Sequence, residues 1–77
     1  MDKEKNKRLV EALLEEKTRL PEIDSFGQSN NFKDYDYAIH YLETGEVIPK
    51  GIKVYDYDIL SACIDDYNAL YETYVEE

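Results

Sequence analysis

Residues 54–77, VYDYDILSACIDDYNALYETYVEE, carry seven carboxylates and no Lys or Arg, together with five of the eight tyrosines and the single cysteine. Placed on a helix at ~100° per residue, the stretch divides cleanly. Leu60, Cys63, Ile64, Tyr67, Leu70, Tyr71 and Tyr74 fall on one side. Asp58, Asp65, Glu72 and Glu76 fall opposite, with the small Ala62 and Ala69 between them. This pattern predicts a helix over 56–75 with one apolar face and one purely acidic face. Such a helix needs apolar partners elsewhere in the chain, and its carboxylates find no cation on their own segment.

The partners are two further helices. Residues 2–19 read as a charged amphipathic helix whose apolar stripe is Leu9, Val10, Leu13 and Leu14. Glu4 before Arg8 and Glu15 before Arg19 are i,i+4 pairs in the favourable orientation. Lys and Arg crowd its first turns, where the helix dipole favours anions, so about five residues are expected to fray. Pro21 closes the helix, because the residue before a proline is pushed out of the α region. Residues 21–31 are rich in turn formers and read as a loop, pinned by Ile23 and Phe26 and most mobile over 28–31. Asn31 is placed to cap a second helix over 32–44, with Asp34 in its first turn and Gly45 as its left-handed stop. Phe32, Tyr35, Ala38, Ile39 and Leu42 make its inner side, while Tyr37 and Tyr41 point away with Asp34 between them.

Residues 46–55 join the last two helices, either as a short β-hairpin turning at Pro49-Lys50-Gly51 or as an extended linker. Asp56 or Asp58 is placed to cap the last helix. A short echo, Lys33-x-Tyr35-Asp36-Tyr37-x-Ile39 against Lys53-x-Tyr55-Asp56-Tyr57-x-Ile59, reflects shared helix-start chemistry and is too brief for a solenoid. The expected fold is all-α: a single acidic helical domain over 1–77 with three helices near 2–19, 32–44 and 56–75. At 77 residues it lies near the lower limit for a self-sufficient core, which keeps a homodimer in play. A hydrophobic share of 43% argues against disorder despite a mean hydropathy of -0.67.

The net charge of -9 is unevenly spread. Residues 1–20 carry six cations and five anions, whereas residues 21–77 carry three cations and thirteen anions. Phosphate binding needs a basic face that releases counterions, so direct nucleic-acid binding is disfavoured, and anionic membranes likewise. A basic protein partner is favoured, through an attraction that salt weakens. No apolar run approaches the ~20 residues of a membrane span, the start has no signal-like core, and one cysteine forms no internal disulfide. The expected address is the cytoplasm of the producing or infected cell.

Most site chemistries lack their parts, so neither a metal nor a cofactor is expected. Zinc wants several Cys or His ligands, and the chain has His40 and Cys63 alone. A calcium loop of the EF-hand type wants Gly at its sixth position and Glu at its twelfth. Counted from Asp56 these are Ser61 and Tyr67, and from Asp34 they are Ile39 and Gly45. Gly27, Gly45 and Gly51 are isolated, so no phosphate-cradling loop exists. Cys63 on the apolar face reads as a small buried hydrophobe, and His40 as a surface residue. Asp65-Asp66 could act as acid and base only in a pocket that a domain this small offers little room for. The expectation is a protein that is not an enzyme.

A solvated acidic face that only keeps a small protein soluble is the plain alternative. Against it stand the absence of cations from residues 54–77 and the tyrosines expected to be exposed among the carboxylates: Tyr37 and Tyr41, with Tyr55 and Tyr57. Tyrosine is enriched at interfaces. Carboxylates at i and i+4 lie about 6 Å apart along a helix, and duplex DNA presents a phosphate per ~3.4 Å on each strand. Acidic helix faces can therefore engage the Lys and Arg side chains that normally hold phosphates. In composition and size the chain resembles small acidic inhibitors made by phages and mobile elements: DNA mimics, anti-restriction proteins and anti-CRISPR proteins. The resemblance is one of texture, carried by acidic helices, the alternations Asp34-Tyr35-Asp36-Tyr37 and Tyr55-Asp56-Tyr57-Asp58, and the acidic tail. It transfers no residue roles.

The expected function is a non-catalytic inhibitor that binds a basic nucleic-acid-binding protein or nuclease through Asp58, Asp65, Glu72 and Glu76, then Asp34, Asp36, Tyr37 and Tyr41. Two other classes fit the same composition. One is an immunity protein or antitoxin that neutralises a single basic toxin. The other is a structural or regulatory helper, a homodimer packing through Phe26, Ile48 and Tyr41.

Overall fold

The computed structural model describes residues 2–21, 32–48 and 50–76. Those residues form helices and turns with no strand among them. The first helix, α1, spans Lys3–Arg19. Its start is capped: the Asp2 carboxylate accepts from the Glu4 and Lys5 backbone N–H at 3.0 and 3.2 Å. An anion at the N-cap offsets the unfavourable lysines of the first turn, which sequence alone does not weigh correctly. The helix stops before Pro21, with Leu20 extended at φ -77°, ψ 132°. Glu15 pairs with Arg19 at 2.6 Å as its spacing implies, whereas Glu4 and Arg8 form no ion pair.

The second helix, α2, spans Phe32–Thr44 and ends on Gly45, whose φ of +80° is the left-handed stop. The expected cap Asn31 and the expected anchors Ile23 and Phe26 lie outside the described residues, as does the 28–31 segment. Residues 46–55 form no hairpin among the described residues. A turn at Lys50 and Gly51, with Gly51 at φ +84°, leads into a single 3-10 turn, Val54–Asp56.

The final helix of the sequence reading is two helices. α3 spans Asp58–Asp65 and α4 spans Tyr67–Tyr74, separated by Asp66 at φ -145°, ψ 46°. Aspartates and an asparagine cluster at the break (Asp65, Asp66, Asn68), and such side chains compete with the helix for backbone hydrogen bonds. Asp66 ends one helix and starts the next: its N–H donates to the Ala62 carbonyl at 2.8 Å and its carbonyl accepts from Leu70 N–H at 3.1 Å.

One cluster forms the core: Leu9 and Leu13 from α1, Ala38, Ile39 and Leu42 from α2, Ile59, Leu60 and Cys63 from α3, and Leu70 and Tyr71 from α4. Leu9, Leu13 and Leu60 are fully buried, each worth about 1.5–3 kcal/mol relative to exposure. Ile64, expected inside, is exposed, and so is Leu14 of the expected α1 stripe. Asn6 is buried among these apolar residues. Its Nδ2 donates to the Leu42 carbonyl at 3.1 Å, and its Oδ1 accepts from the Tyr67 hydroxyl, so α1, α2 and α4 meet at one amide.

Candidate functional site

Asp58 and Asp65 are seven residues apart on α3, so after nearly two whole turns they share its outer face. Glu72 on α4 and Glu76 just beyond its end border a shallow depression of about 350 Å³ with Ala69 and Thr73. All four side chains are exposed, as are Asp56 and Asp66. None of these six carboxylates has an ion-pair or hydrogen-bond partner among the described residues. The break at Asp66 interrupts the single stripe that a continuous helix would make, so the acidic surface has two parts, one on each short helix.

The second-helix residues proposed beside them behave differently. Asp34 faces inward across the helix pair: its Oδ1 and Oδ2 accept from Ile59 N–H at 3.2 and 3.1 Å, and Oδ1 accepts from Leu60 N–H at 3.1 Å. The start of α3 has no side-chain cap of its own, so neither Asp56 nor Asp58 performs the expected capping. Asp36 is exposed but paired with Lys17 at 2.6 Å, a bridge from α2 to α1. Tyr37 and Tyr41 do not stand out in solvent. Both are half-buried against the core, and Tyr37 meets Tyr57 edge to face at 5.1 Å and 80°.

The exposed tyrosine is Tyr55, at 72% exposure on the 3-10 turn between Lys53 and Asp56. Of the four tyrosines expected to be exposed, Tyr55 alone is, on a 3-10 turn that does not follow the α period. Its neighbour Tyr57 turns inward to Tyr37 instead.

Opposite in sign is a surface cleft of about 400 Å³ lined by Lys3, Asn6, Lys7, Val10, Leu42 and Glu43. It lies between α1 and α2 and carries the ammoniums of Lys3 and Lys7, neither in an ion pair among the described residues. The charge asymmetry of the sequence is thus retained in space.

Among groups able to do covalent chemistry, Cys63 is buried, and burial, reinforced by the Asp34 carboxylate, pushes its thiol up to about 12. It is a neutral, sequestered thiol at physiological pH, unlike the low-pKa thiolates that react. His40 is half-buried, not a free surface residue, and its Nε2 is buried without a hydrogen-bond partner among the described residues. Burial also raises Tyr35 to about 12, helped by Tyr74, Glu16 and Asp34 nearby. Tyr74 is raised in the same direction, mainly by burial. Among the described residues no group of three or more His, Cys, Asp or Glu is arranged to hold a metal ion. No helix of the described residues is long and apolar enough to cross a membrane.

The chain matches no protein-family model, no curated protein and no solved structure.

Proposed function

We propose that the chain is a non-catalytic inhibitor that covers a basic nucleic-acid-binding surface of a partner protein, as a DNA or RNA mimic of the anti-CRISPR or anti-restriction type. The observation that supports the reading is the set of six exposed carboxylates on residues 56–76 with no cation paired to any of them. Like charges so placed repel one another and weaken the fold, while on α1 and α2 Glu15, Glu16 and Asp36 are each paired with a cation. A surface that costs stability and is left uncompensated is suited to meeting an external basic surface. The contact set in this reading is Asp58, Asp65, Glu72 and Glu76, joined by Asp56 and the ring of Tyr55. Asp34 is absent from it because its carboxylate is occupied inside the molecule. Such a protein works in the cytoplasm of the producing or infected cell.

The experiment is capture of basic nucleic-acid-binding proteins from that cell on the immobilised chain at low and high salt. Captured partner should release as salt rises, and should release equally when duplex DNA or RNA is added as competitor. Reversing Asp65 and Glu72 to Lys should abolish capture while leaving the helical circular dichroism intact. A partner that stays bound under nucleic-acid competition, or that ignores the double reversal, refutes the mimic reading. Competition without effect but with retained charge dependence is the signature of an immunity protein instead.

A further inference from the structure

α4 is joined to α3 by one non-helical residue, and no side chain caps its start. An eight-residue helix does not persist alone in water, so α4 depends on what it docks against. Its dock is largely polar and aromatic. The Tyr67 hydroxyl donates to Asn6 Oδ1, and Lys5 Nζ sits over the rings of Tyr67 and Tyr71 at 5.4 and 4.5 Å from their centroids. Tyr74 and, just past the helix, Val75 pack against the core only partly buried at the far end. Only Leu70 and Tyr71 of α4 are buried, whereas α3 buries Ile59, Leu60 and Cys63 and is capped by Asp34. The two halves of the chain's end are therefore held with unequal strength, and local opening follows the weaker one.

We propose that α4 is a hinged latch, which swings out as a unit about Asp66 while α1, α2 and α3 stay folded, and that opening uncovers Cys63. The thiol is buried in the closed state, in the same core cluster as Leu70 and Tyr71 of α4, with Tyr67 and Tyr74 packed against that cluster. Opening also separates Glu72 and Glu76 from Asp58 and Asp65, so the whole acidic surface is assembled only when the latch is shut. The hinge itself does not depend on what that surface binds.

Cys63 supplies the probe. The full chain is treated with a thiol-reactive disulfide reagent over a series of low urea concentrations, well below the unfolding transition. Latch opening exposes little surface, so the labelling rate should depend on urea far more weakly than global unfolding does. Tyr67→Phe, which removes the bond to Asn6, should raise the labelling rate in water by about tenfold. Lys5→Met, on the surface, should raise it several-fold with unchanged circular dichroism. Amide exchange should be faster at α4 than at α3. A labelling rate that carries the full urea slope of global unfolding overturns the latch, as do α4 amides protected as well as those of α3. Both readouts use the unmodified chain, so they decide the matter even if Tyr67→Phe fails to fold.

Discussion

Asp34 caps the third helix at Ile59 from a position 25 residues upstream, with both carboxylate oxygens near 3.1–3.2 Å from the Ile59 nitrogen. A helix that begins after Tyr57 with no local cap leaves its first N–H groups without partners, and α2 delivers a carboxylate to two of them. Asp34→Ala should therefore cost about 1–2 kcal/mol. For a chain of this size each kcal/mol lowers Tm by roughly 4–8 °C. Thermal melts followed by circular dichroism measure it, and Asp34→Asn, which keeps one acceptor oxygen, should lose less. An unchanged Tm in Asp34→Ala would remove the carboxylate from the fold's support and return it to the surface.

Asn6 is the second long-range tie, bonded across 36 residues to Leu42 and across 61 to Tyr67. Asn6→Ala strands the buried Leu42 carbonyl and frees the half-buried Tyr67 hydroxyl, at a cost of about 1–3 kcal/mol. Replacing both ends of one bond is gentler than replacing either, since no polar group is left alone. In a double-mutant cycle Asn6→Leu with Tyr67→Phe should thus lose less than the two single variants summed. Urea midpoints of the four proteins supply the comparison, and strict additivity would deny the bond any coupling energy.

These two residues show what the sequence could and could not disclose. Pro21 and Gly45 act through local backbone sterics, and the ends of α1 and α2 were legible from them to within about one residue. Most of the core was legible from helical periodicity, because Leu9, Leu13, Ala38, Leu42, Leu60 and Leu70 occupy the expected faces. Asp34 and Tyr37 were misjudged, and Asn6 went unnoticed, because their partners lie on other helices or turns and a wheel records only a residue's own helix. The split at Asp66 escaped for a related reason. A stripe with seven-residue spacing from Asp58 to Glu72 looks continuous in projection, although the chain restarts between Asp65 and Tyr67. For the site, the acidic residues were readable as charges without partners, while of the tyrosines expected beside them only Tyr55 is exposed, because Tyr37, Tyr41 and Tyr57 pack against the core.

Gly45 offers a clean test of backbone strain. Its φ of +80° lies in the left-handed region, and a Cβ built there meets nothing within 4 Å. The penalty of Gly45→Ala is then conformational alone, about 1 kcal/mol, and Gly45→Asn should recover part of it because Asn tolerates that region. Chemical denaturation of the three proteins gives the ordering Gly, Asn, Ala. Equal stability of all three would mean that α2 ends by some other device.

Alkaline pH should weaken the fold. Cys63 rises from 9.0 to about 12 and Tyr35 from 10.0 to about 12, both mainly by burial, with Tyr67 and Tyr74 raised in the same direction. Between about pH 9 and 12 the unfolded chain releases protons that the folded chain still holds, so stability falls as pH rises. Below pH 9 this contribution is fully present. Urea midpoints should be flat on approach to pH 9 and decline above it. Cys63→Ala and Tyr35→Phe should each reduce the steepness of the decline, whatever they do to absolute stability. A midpoint that rises above pH 9 would contradict the buried, neutral state of these groups.

Tyr55 tests whether the acidic surface has an aromatic anchor. It is exposed at 72% and is not among the residues packed on the core, so Tyr55→Ala should change stability by no more than about 0.5 kcal/mol. Interface tyrosines with carboxylates around them are frequent hot spots, where truncation costs more than about 1–2 kcal/mol of binding. On the mimic reading Tyr55→Ala should therefore weaken the partner about tenfold through faster dissociation, since contact losses act mainly on the off-rate. Asp65→Lys should instead slow association and flatten its salt dependence. Surface plasmon resonance at several salt concentrations separates the two effects. A partner that loses affinity with Asp65→Lys but ignores Tyr55→Ala would confine the contact to the α3 and α4 carboxylates and leave the 3-10 turn outside it.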